Sequence, residues 1–183
     1  MIFSFFQPIE YQGKAMTDII RNYRAYFDSI IGDYNIKTYY LTGSPRPEQA
    51  AYEIYGNQNL YWVLLMLNDN YDPFHEWLTD QQSAYESGEQ RYADVGGNQV
   101  LYHVDREGEK YYNLVEDSEH PGNWYDKGDI HKRHLQYSGA LAAIDVMEDA
   151  VLRNEEKRKI KIIEPSQMDN FINAFVREME KVL

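Results

Sequence analysis

The densest hydrophobic pattern in the chain lies within residues 43–77 and predicts two short helices joined by a tight turn. Ser44 is placed to cap the first helix, and Pro47 suits its first turn, where a missing N–H costs nothing. Its apolar face consists of Ala50, Ala51, Ile54 and Tyr55. Gly56 can adopt the left-handed conformation that ends a helix. Because residues 60–67 are apolar on every side, we expect the second helix to be covered on all of its sides.

The segments before this helical pair alternate between extended and helical patterns. Residues 1–16 are strongly apolar and predict an extended arm, which packs on the chain's own core or lies on a neighbouring subunit. Thr17 and Asp18 are placed to cap a helix that ends at Gly32. Residues 36–41 are β-branched and aromatic, so they predict the strand that leads into the helical pair.

Beyond the helical pair, the sequence predicts a polar helix, a hairpin and a long loop. Asp80 can cap a helix that runs to about Arg91. Residues 99–115 predict a β-hairpin around a glycine-containing turn. Residues 116–139 show no periodicity and predict a long loop, and segments of that kind are functional or disordered. Large aromatic residues in this loop argue against disorder and favour docking on a partner.

The C-terminal part predicts helix, strand and helix in that order. Residues 145–157 suit a charged helix, and residues 160–163 suit a strand. Ser166 and Asp169 form a capping pair for the last helix. One face of that helix carries Met168, Phe171, Ile172, Phe175, Val176, Met179 and Val182. This stripe predicts an amphipathic helix with one buried side.

Composition and charge restrict the partners that the protein can have. Its 183 residues suffice for one sizeable core or two small ones. A net charge of −12 argues against nucleic acid and anionic membrane as partners, because binding to phosphates needs a positive surface. The 17 Tyr residues are typical either of a half-buried sheet or of a protein–protein interface. There is no cysteine, so disulfides and thiolate chemistry are excluded.

No catalytic, cofactor-binding or metal-binding residues are predicted. His131 and His134 have a helical spacing, but Lys132 and Arg133 lie between them and no carboxylate-bearing helix is evident, so they indicate a solvated loop more than a zinc site. Asp72, His75 and Glu76 lie close together in sequence, yet an acidic chain produces such groups by chance. Nucleophile elbows, phosphate-binding loops and dinucleotide motifs are absent.

The order of several motifs along the chain resembles a family of viral structural proteins. The motifs are Pro47, Glu48, Ala51, residues 54–57, 60–63 and 68–73, with further likeness in residues 5–11, 16–19, 95–97, 102–104, 124–128, 154–155 and 158–163. This pattern resembles the LysM-containing baseplate wedge subunit of T4-like contractile-tailed bacteriophages, over nearly the whole chain.

The resemblance implies an α+β fold with a LysM-like βαα(β) core, an extended N-terminal arm, a β-hairpin and a C-terminal amphipathic helix. We expect three regions: an arm and helix (1–35), the LysM-like core (36–95), and a hairpin, loop and strand–helix region (96–183). The implied function is structural and non-enzymatic. Such a protein is part of the virion tail baseplate, is assembled in the host cytoplasm and bridges neighbouring wedges.

The partners implied by the resemblance are other wedge proteins, namely the large wedge-ring subunit and a sheath-initiator-like wedge subunit, together with neighbouring wedges. Candidate interface residues are Phe3, Phe5, Phe6, Tyr11, Trp124, Tyr125, Arg158, Phe171 and Phe175. Arg158 belongs to a basic patch that is either a solvated helix end or a contact to an acidic neighbour. The alternative function is binding of an N-acetylglucosamine-containing glycan, as LysM modules do in general.

Overall fold

The computed structural model describes residues 8–17 and 22–181, which form two compact units. Unit 1 contains the described residues up to 79 and from 156 onward, and unit 2 contains residues 80–155. The helices are α1 (Tyr23–Ile31), α2 (Pro47–Tyr55), α3 (Tyr61–Leu67), α4 (Gln81–Tyr92), α5 (Val146–Glu156) and α6 (Met168–Glu180). The strands are β1 (Pro8–Tyr11), β2 (Lys14–Thr17), β3 (Ile36–Tyr40), β4 (Val100–Val104), β5 (Lys110–Tyr112), β6 (Leu114–Glu116), β7 (Asn123–Asp126), β8 (Leu135–Ser138), β9 (Ala142–Asp145) and β10 (Lys159–Ile163). The predicted α+β class is confirmed.

Unit 1 begins with a two-stranded antiparallel hairpin, β1–β2. Its turn consists of Gln12 and Gly13, both in the left-handed region with φ of 50° and 73°. Two such residues in succession match the right-handed twist of the flanking strands. The predicted arm of residues 1–16 therefore folds back on itself from residue 8, while residues 1–7 lie outside the described part of the chain.

Helix α1 begins later than predicted and ends where predicted. The side chain of Asn22 accepts a hydrogen bond from the backbone N–H of Ala25 and caps the helix. The predicted cap at Thr17 is wrong, because Thr17 is the last residue of β2. Asp18 lies outside the described residues. Gly32 ends the helix.

The two-stranded sheet of unit 1 joins segments that are far apart in sequence. Strand β3 pairs antiparallel with β10, with Ile36 opposite Ile163 and Tyr40 opposite Lys159. The side chain of Asn68 ties the end of α3 to the same sheet, because it accepts from the N–H of Lys161 at 2.7 Å and donates to the Lys161 carbonyl at 2.9 Å.

Helix α2 is capped differently from the prediction. Arg46 is the N-cap residue, and the Gln49 side chain accepts from its backbone N–H at 2.9 Å. The Ser44 hydroxyl donates instead to the carbonyl of Thr79, so the predicted Ser44 cap is wrong. Gly56, with a φ of 70°, ends the helix in the left-handed conformation as predicted.

The main core of unit 1 is formed by α1, α3 and α6. Its centre consists of Phe27, Trp62, Phe171 and Phe175. A second cluster contains Leu41, Ala50, Ala51, Leu64, Trp77, Leu78, Ile160 and Ile162. Helix α3 has no exposed residue, as its uniformly apolar sequence predicts. Helix α6 follows a 3-10 turn at Pro165–Gln167 and has no side-chain cap, so the predicted capping pair is wrong.

Unit 2 contains two three-stranded antiparallel sheets and two helices. One sheet has the order β5-β4-β9 and includes the predicted hairpin, whose turn contains Gly108 at a φ of 89°. The other has the order β6-β7-β8. The prediction of a loop over residues 116–139 is wrong, because two short strands in this segment extend the sheet that β6 begins. Asp80 caps α4 as predicted, by accepting from the N–H of Ser83 at 3.0 Å.

The two units cut across the three predicted regions. Helix α4 belongs to unit 2, and β10 and α6 belong to unit 1. The physical reason lies in pairing and packing, since β10 completes the sheet of β3 and α6 covers α1. Within residues 8–17 and 22–181, no helix combines the length and apolar character that a membrane crossing requires.

Candidate protein–protein interface

The candidate interface residues of α6 lie in the core of unit 1. Phe171 and Phe175 are fully buried. The Phe171 ring packs edge-on against Phe27 at 5.3 Å, and the Phe175 ring lies 5.2 Å from Trp62. The apolar stripe of α6 is therefore covered by this chain's own helices. A contact of either residue with a partner stays a prediction, and neither side chain has exposed surface for such a contact.

Arg158 stabilises the fold of unit 1 at the start of β10. Its guanidinium donates to the carbonyl of Leu41 at 2.9 Å and to that of Gly43 at 2.6 Å. The backbone carbonyl of Arg158 accepts from the N–H of Leu41 at 2.9 Å. These bonds fix the residues that lead from β3 into α2. A contact with an acidic neighbour stays a prediction.

The aromatic residues of the predicted loop lie in strand β7 of unit 2. Trp124 is buried, and its indole N–H donates to the carbonyl of Gly139 at 2.9 Å. Its ring lies 4.6 Å from that of His103, whose pKa is lowered mainly by burial. Tyr125 is half-buried. Trp124 is thus buried by other residues of unit 2, without a partner protein.

The β1–β2 hairpin exposes apolar side chains. Every residue from 8 to 16 is exposed, including Ile9 at 38%, Tyr11 at 60% and Met16 at 51%. Of the candidate residues in the arm, Tyr11 is therefore at the surface, and Phe3, Phe5 and Phe6 lie outside the described residues. A two-stranded hairpin is marginally stable unless something packs on it. Such a hairpin suits a surface that a partner covers.

A second exposed apolar surface, made of two aromatic residues, lies on the turn that follows α3. Tyr71 is 75% exposed and Phe74 is 83% exposed. The Glu76 carboxylate accepts from the backbone N–H groups of Tyr71 at 2.7 Å and Asp72 at 2.9 Å. Asp72 bonds to the ring of His75 at 2.6 Å, and this bond is the main reason that the pKa of Asp72 is lowered. These hydrogen bonds hold the turn, which presents both rings to solvent.

Sequence reasoning missed this pair for an identifiable reason. In the sequence, Asp72, His75 and Glu76 were considered only as a possible catalytic or metal-binding group. In the structure, their side chains form the hydrogen bonds that hold the turn. No group of three or more His, Asp or Glu side chains suited to a metal ion occurs in the part of the chain that the structure describes. The sequence did contain a signal for this turn. Asp72, His75 and Glu76 alternate with Tyr71 and Phe74 around Pro73, which is unfavourable inside a helix.

Comparison with known proteins identifies the family. The family model of base plate wedge protein 53 matches residues 1–178. The chain belongs to this family. It is also 52% identical over 190 residues to the baseplate wedge protein gp53 of Enterobacteria phage T4, covering 99% of this chain and 97% of that protein. As a member of the base plate wedge protein 53 family, the protein is a structural component of the virion tail baseplate and not an enzyme. The glycan-binding alternative receives no support.

Proposed function

We propose that the protein bridges neighbouring wedges during assembly of the baseplate, and that the β1–β2 hairpin is one of its contact surfaces. The partners that we propose are the large wedge-ring subunit and a sheath-initiator-like wedge subunit. Membership of a wedge protein family supports association with other baseplate components. The observation that carries the choice of surface is the exposure of Ile9, Tyr11 and Met16 on a hairpin of only two strands.

A bridging protein needs a contact surface for each neighbour, and the turn after α3 offers a second one. Tyr71 and Phe74 are exposed on a turn that hydrogen bonds of Asp72 and Glu76 hold in place. A rigid aromatic anchor loses little conformational entropy on binding. Aromatic residues are also enriched among the residues that dominate binding energy at interfaces.

The LysM-like character of the core is part of this proposal. Strand β3, helices α2 and α3 and strand β10 follow the order strand–helix–helix–strand, and the two strands pair antiparallel. The expected return strand does not follow Pro73 directly. Unit 2 is inserted in the sequence between α3 and β10. We infer that this core acts as a rigid structural support.

The proposal is tested by removing the apolar character of the hairpin without removing the hairpin. The variant carries Ile9→Ser, Tyr11→Ser and Met16→Ser, all at exposed positions where substitutions change stability by about 0.5 kcal/mol or less each. It is co-expressed with the other wedge proteins. We expect complete wedges or closed rings to become rare, as measured by co-purification and negative-stain electron microscopy.

The matched control keeps the same positions apolar, with Ile9→Val, Tyr11→Phe and Met16→Leu. This variant should assemble like the unchanged protein, and circular dichroism should show that all three proteins are folded. If the serine variant forms closed rings as efficiently as the control, the hairpin is not a contact surface and this part of the proposal is wrong.

A further inference from the structure

Unit 2 contains a groove between helices α4 and α5. Its volume is about 710 Å³. Helix α4 contributes Tyr85, Glu86 and Glu89, which recur at helical spacing on one side. Helix α5 contributes Glu148, Val151 and Leu152 in the same way. The groove thus runs along two helices and is open to solvent along its length.

A glycine brings the two helices close enough to form this groove. Gly88 of α4 is buried, and a Cβ atom at this position would lie 2.9 Å from the Cβ of Ala150 in α5. The same Cβ would lie 3.4 Å from the carbonyl oxygen of Val146. The backbones therefore meet along the line of Gly88, Val146 and Ala150. The side chains on the adjoining faces of both helices then form the walls of a narrow cleft.

The base of the groove is apolar, although it faces solvent. Val151 and Tyr85 are half-buried, and Leu152 is 46% exposed. An adjoining side of α5 is already used within the chain, because buried Asp149 accepts from the hydroxyl of Tyr102 at 2.8 Å. The apolar residues on the groove side are covered only in part by the rest of the chain. They offer a surface that a third helix can cover by packing into the groove.

The rim of the groove is acidic. Glu86, Glu89, Asp145 and Glu148 line it, and no Lys, Arg or His is among its lining residues. Asp145 is engaged locally, since it accepts from the N–H of Glu148 and the side-chain amide of Asn98. Among the residues that the structure describes, none forms a salt bridge with Glu86, Glu89 or Glu148. Glu86 accepts a hydrogen bond from the side-chain amide of Gln82 at 2.9 Å. All three carboxylates are exposed, so cations of another chain can reach them.

We propose that this groove binds a basic amphipathic helix of another baseplate protein. The apolar side chains of that helix lie on Val151 and Leu152, and its Lys or Arg residues pair with the glutamates of the rim. Charge complementarity of this kind favours encounter and fixes orientation. The inference rests on the proposed function, since a structural subunit of a wedge binds other protein chains.

The first experiment measures binding of a probe to the full chain. The probe is a helical peptide of about five turns, with leucines on one face and lysines on both flanks. A second peptide has the same leucines and glutamates in place of the lysines. Fluorescence anisotropy should show binding of the basic peptide only. Its affinity should fall as ionic strength rises, because exposed charge pairs are screened.

Isosteric variants then locate the site. Glu86→Gln, Glu89→Gln and Glu148→Gln together remove three charges from the groove and should weaken binding about tenfold or more. The matched control removes three exposed charges elsewhere, with Glu48→Gln, Glu53→Gln and Glu107→Gln, and should leave binding within about twofold. Leu152→Ser should weaken binding while leaving its salt dependence unchanged.

Three outcomes would overturn the inference. The first is equal binding of the basic peptide to the groove variant and the control variant. The second is equal binding of the basic and acidic peptides. The third is self-association of the unchanged protein that the groove variant abolishes in analytical ultracentrifugation, since the occupant would then be a second copy of this chain.

The result can be separated from that of the hairpin experiment. If the groove variant fails to bind the peptide and to co-purify with a wedge protein, while the hairpin control assembles normally, the groove inference is supported. If the groove variant closes rings and the hairpin serine variant does not, the groove inference is wrong and the proposed function stands.

Discussion

The two units are stabilised in different ways. In the core of unit 1, large aromatic and aliphatic side chains are removed completely from water, and Phe171, Phe175 and Leu64 have no exposed surface. In unit 2, the buried residues include polar ones, and Asp117, Asp149 and Asn154 are the three buried polar or charged residues found in the described chain. The stabilisation from apolar burial is insensitive to pH and has no preferred direction. The stability of a buried carboxylate depends instead on each of its hydrogen-bond and ion-pair partners. Removal of a buried polar side chain should therefore lower the stability of unit 2, whereas the stability of unit 1 should depend mainly on its apolar side chains.

The largest expected effect is in unit 1. Phe171→Ala removes a ring that packs against Phe27 and Tyr34, each at 5.3 Å. It should lower the free energy of unfolding by about 3–5 kcal/mol, because it loses apolar burial and leaves a cavity. Urea unfolding followed by fluorescence would measure this change. Phe74→Ala, at an 83% exposed position of the same unit, is the control and should change stability little.

The second effect tests the polar network of unit 2. Asp149 accepts from the Tyr102 hydroxyl at 2.8 Å and pairs with Arg153 at 2.8 Å. Asp149→Ala leaves a buried hydroxyl without its acceptor and should lower the free energy of unfolding by about 2–3 kcal/mol. Tyr102→Phe and the double variant complete a cycle. Strictly additive effects would contradict the coupling that we expect between these two residues.

The third effect concerns the closest packing in unit 2. Gly88→Ala places a methyl group 2.9 Å from the Cβ of Ala150 and should destabilise unit 2 by about 1–3 kcal/mol. Gly32→Ala is the control, because Gly32 has a helical φ of −63° and open space around its Cα. Hydrogen exchange would show whether the loss of protection is confined to α4 and α5. Equal effects of the two substitutions would argue against close packing at Gly88.

The smallest effect is the pH dependence due to one carboxylate of unit 2. The hydrogen bond from Lys132, at 2.5 Å, is the main cause that lowers the pKa of Asp117 to about 2. Since the unfolded pKa is about 4, the stabilisation is complete above about pH 4 and is lost as the pH falls through about 2. Asp117→Asn should flatten this part of the stability curve, as measured by urea unfolding between those pH values. Asp94→Asn, at an exposed position of unit 2, should not.

The sequence predicted elements whose pattern is long or chemically distinctive. Helix α6 carries an apolar stripe over several turns, and Asp80 and Gly56 have the residue types that cap helices. Strands β7 and β8 were not predicted from the sequence, because strands of four residues contain too few positions for an alternating pattern to be recognised. Strand β7 pairs with β6 and β8 pairs with β7, and this pairing is a property of the fold and not of the segment itself.

The candidate interface was harder to predict, since apolar residues mark both cores and interfaces. Phe171 and Trp124 are buried by residues distant in sequence, namely Phe27 and His103. Tyr11 carries a similar apolar signal and is exposed. No local property separates these cases, because burial depends on what the rest of the chain places nearby.

The pairing of β3 with β10 has a consequence for the order of events during synthesis. The ribosome makes β3, α2 and α3 first, then all of unit 2, and only afterwards the strand and helix that complete unit 1. Unit 2 is therefore complete as a chain before unit 1 is. The N-terminal part of unit 1 therefore remains without its pairing strand β10 until synthesis is almost finished. During this stage unit 2 can fold before unit 1.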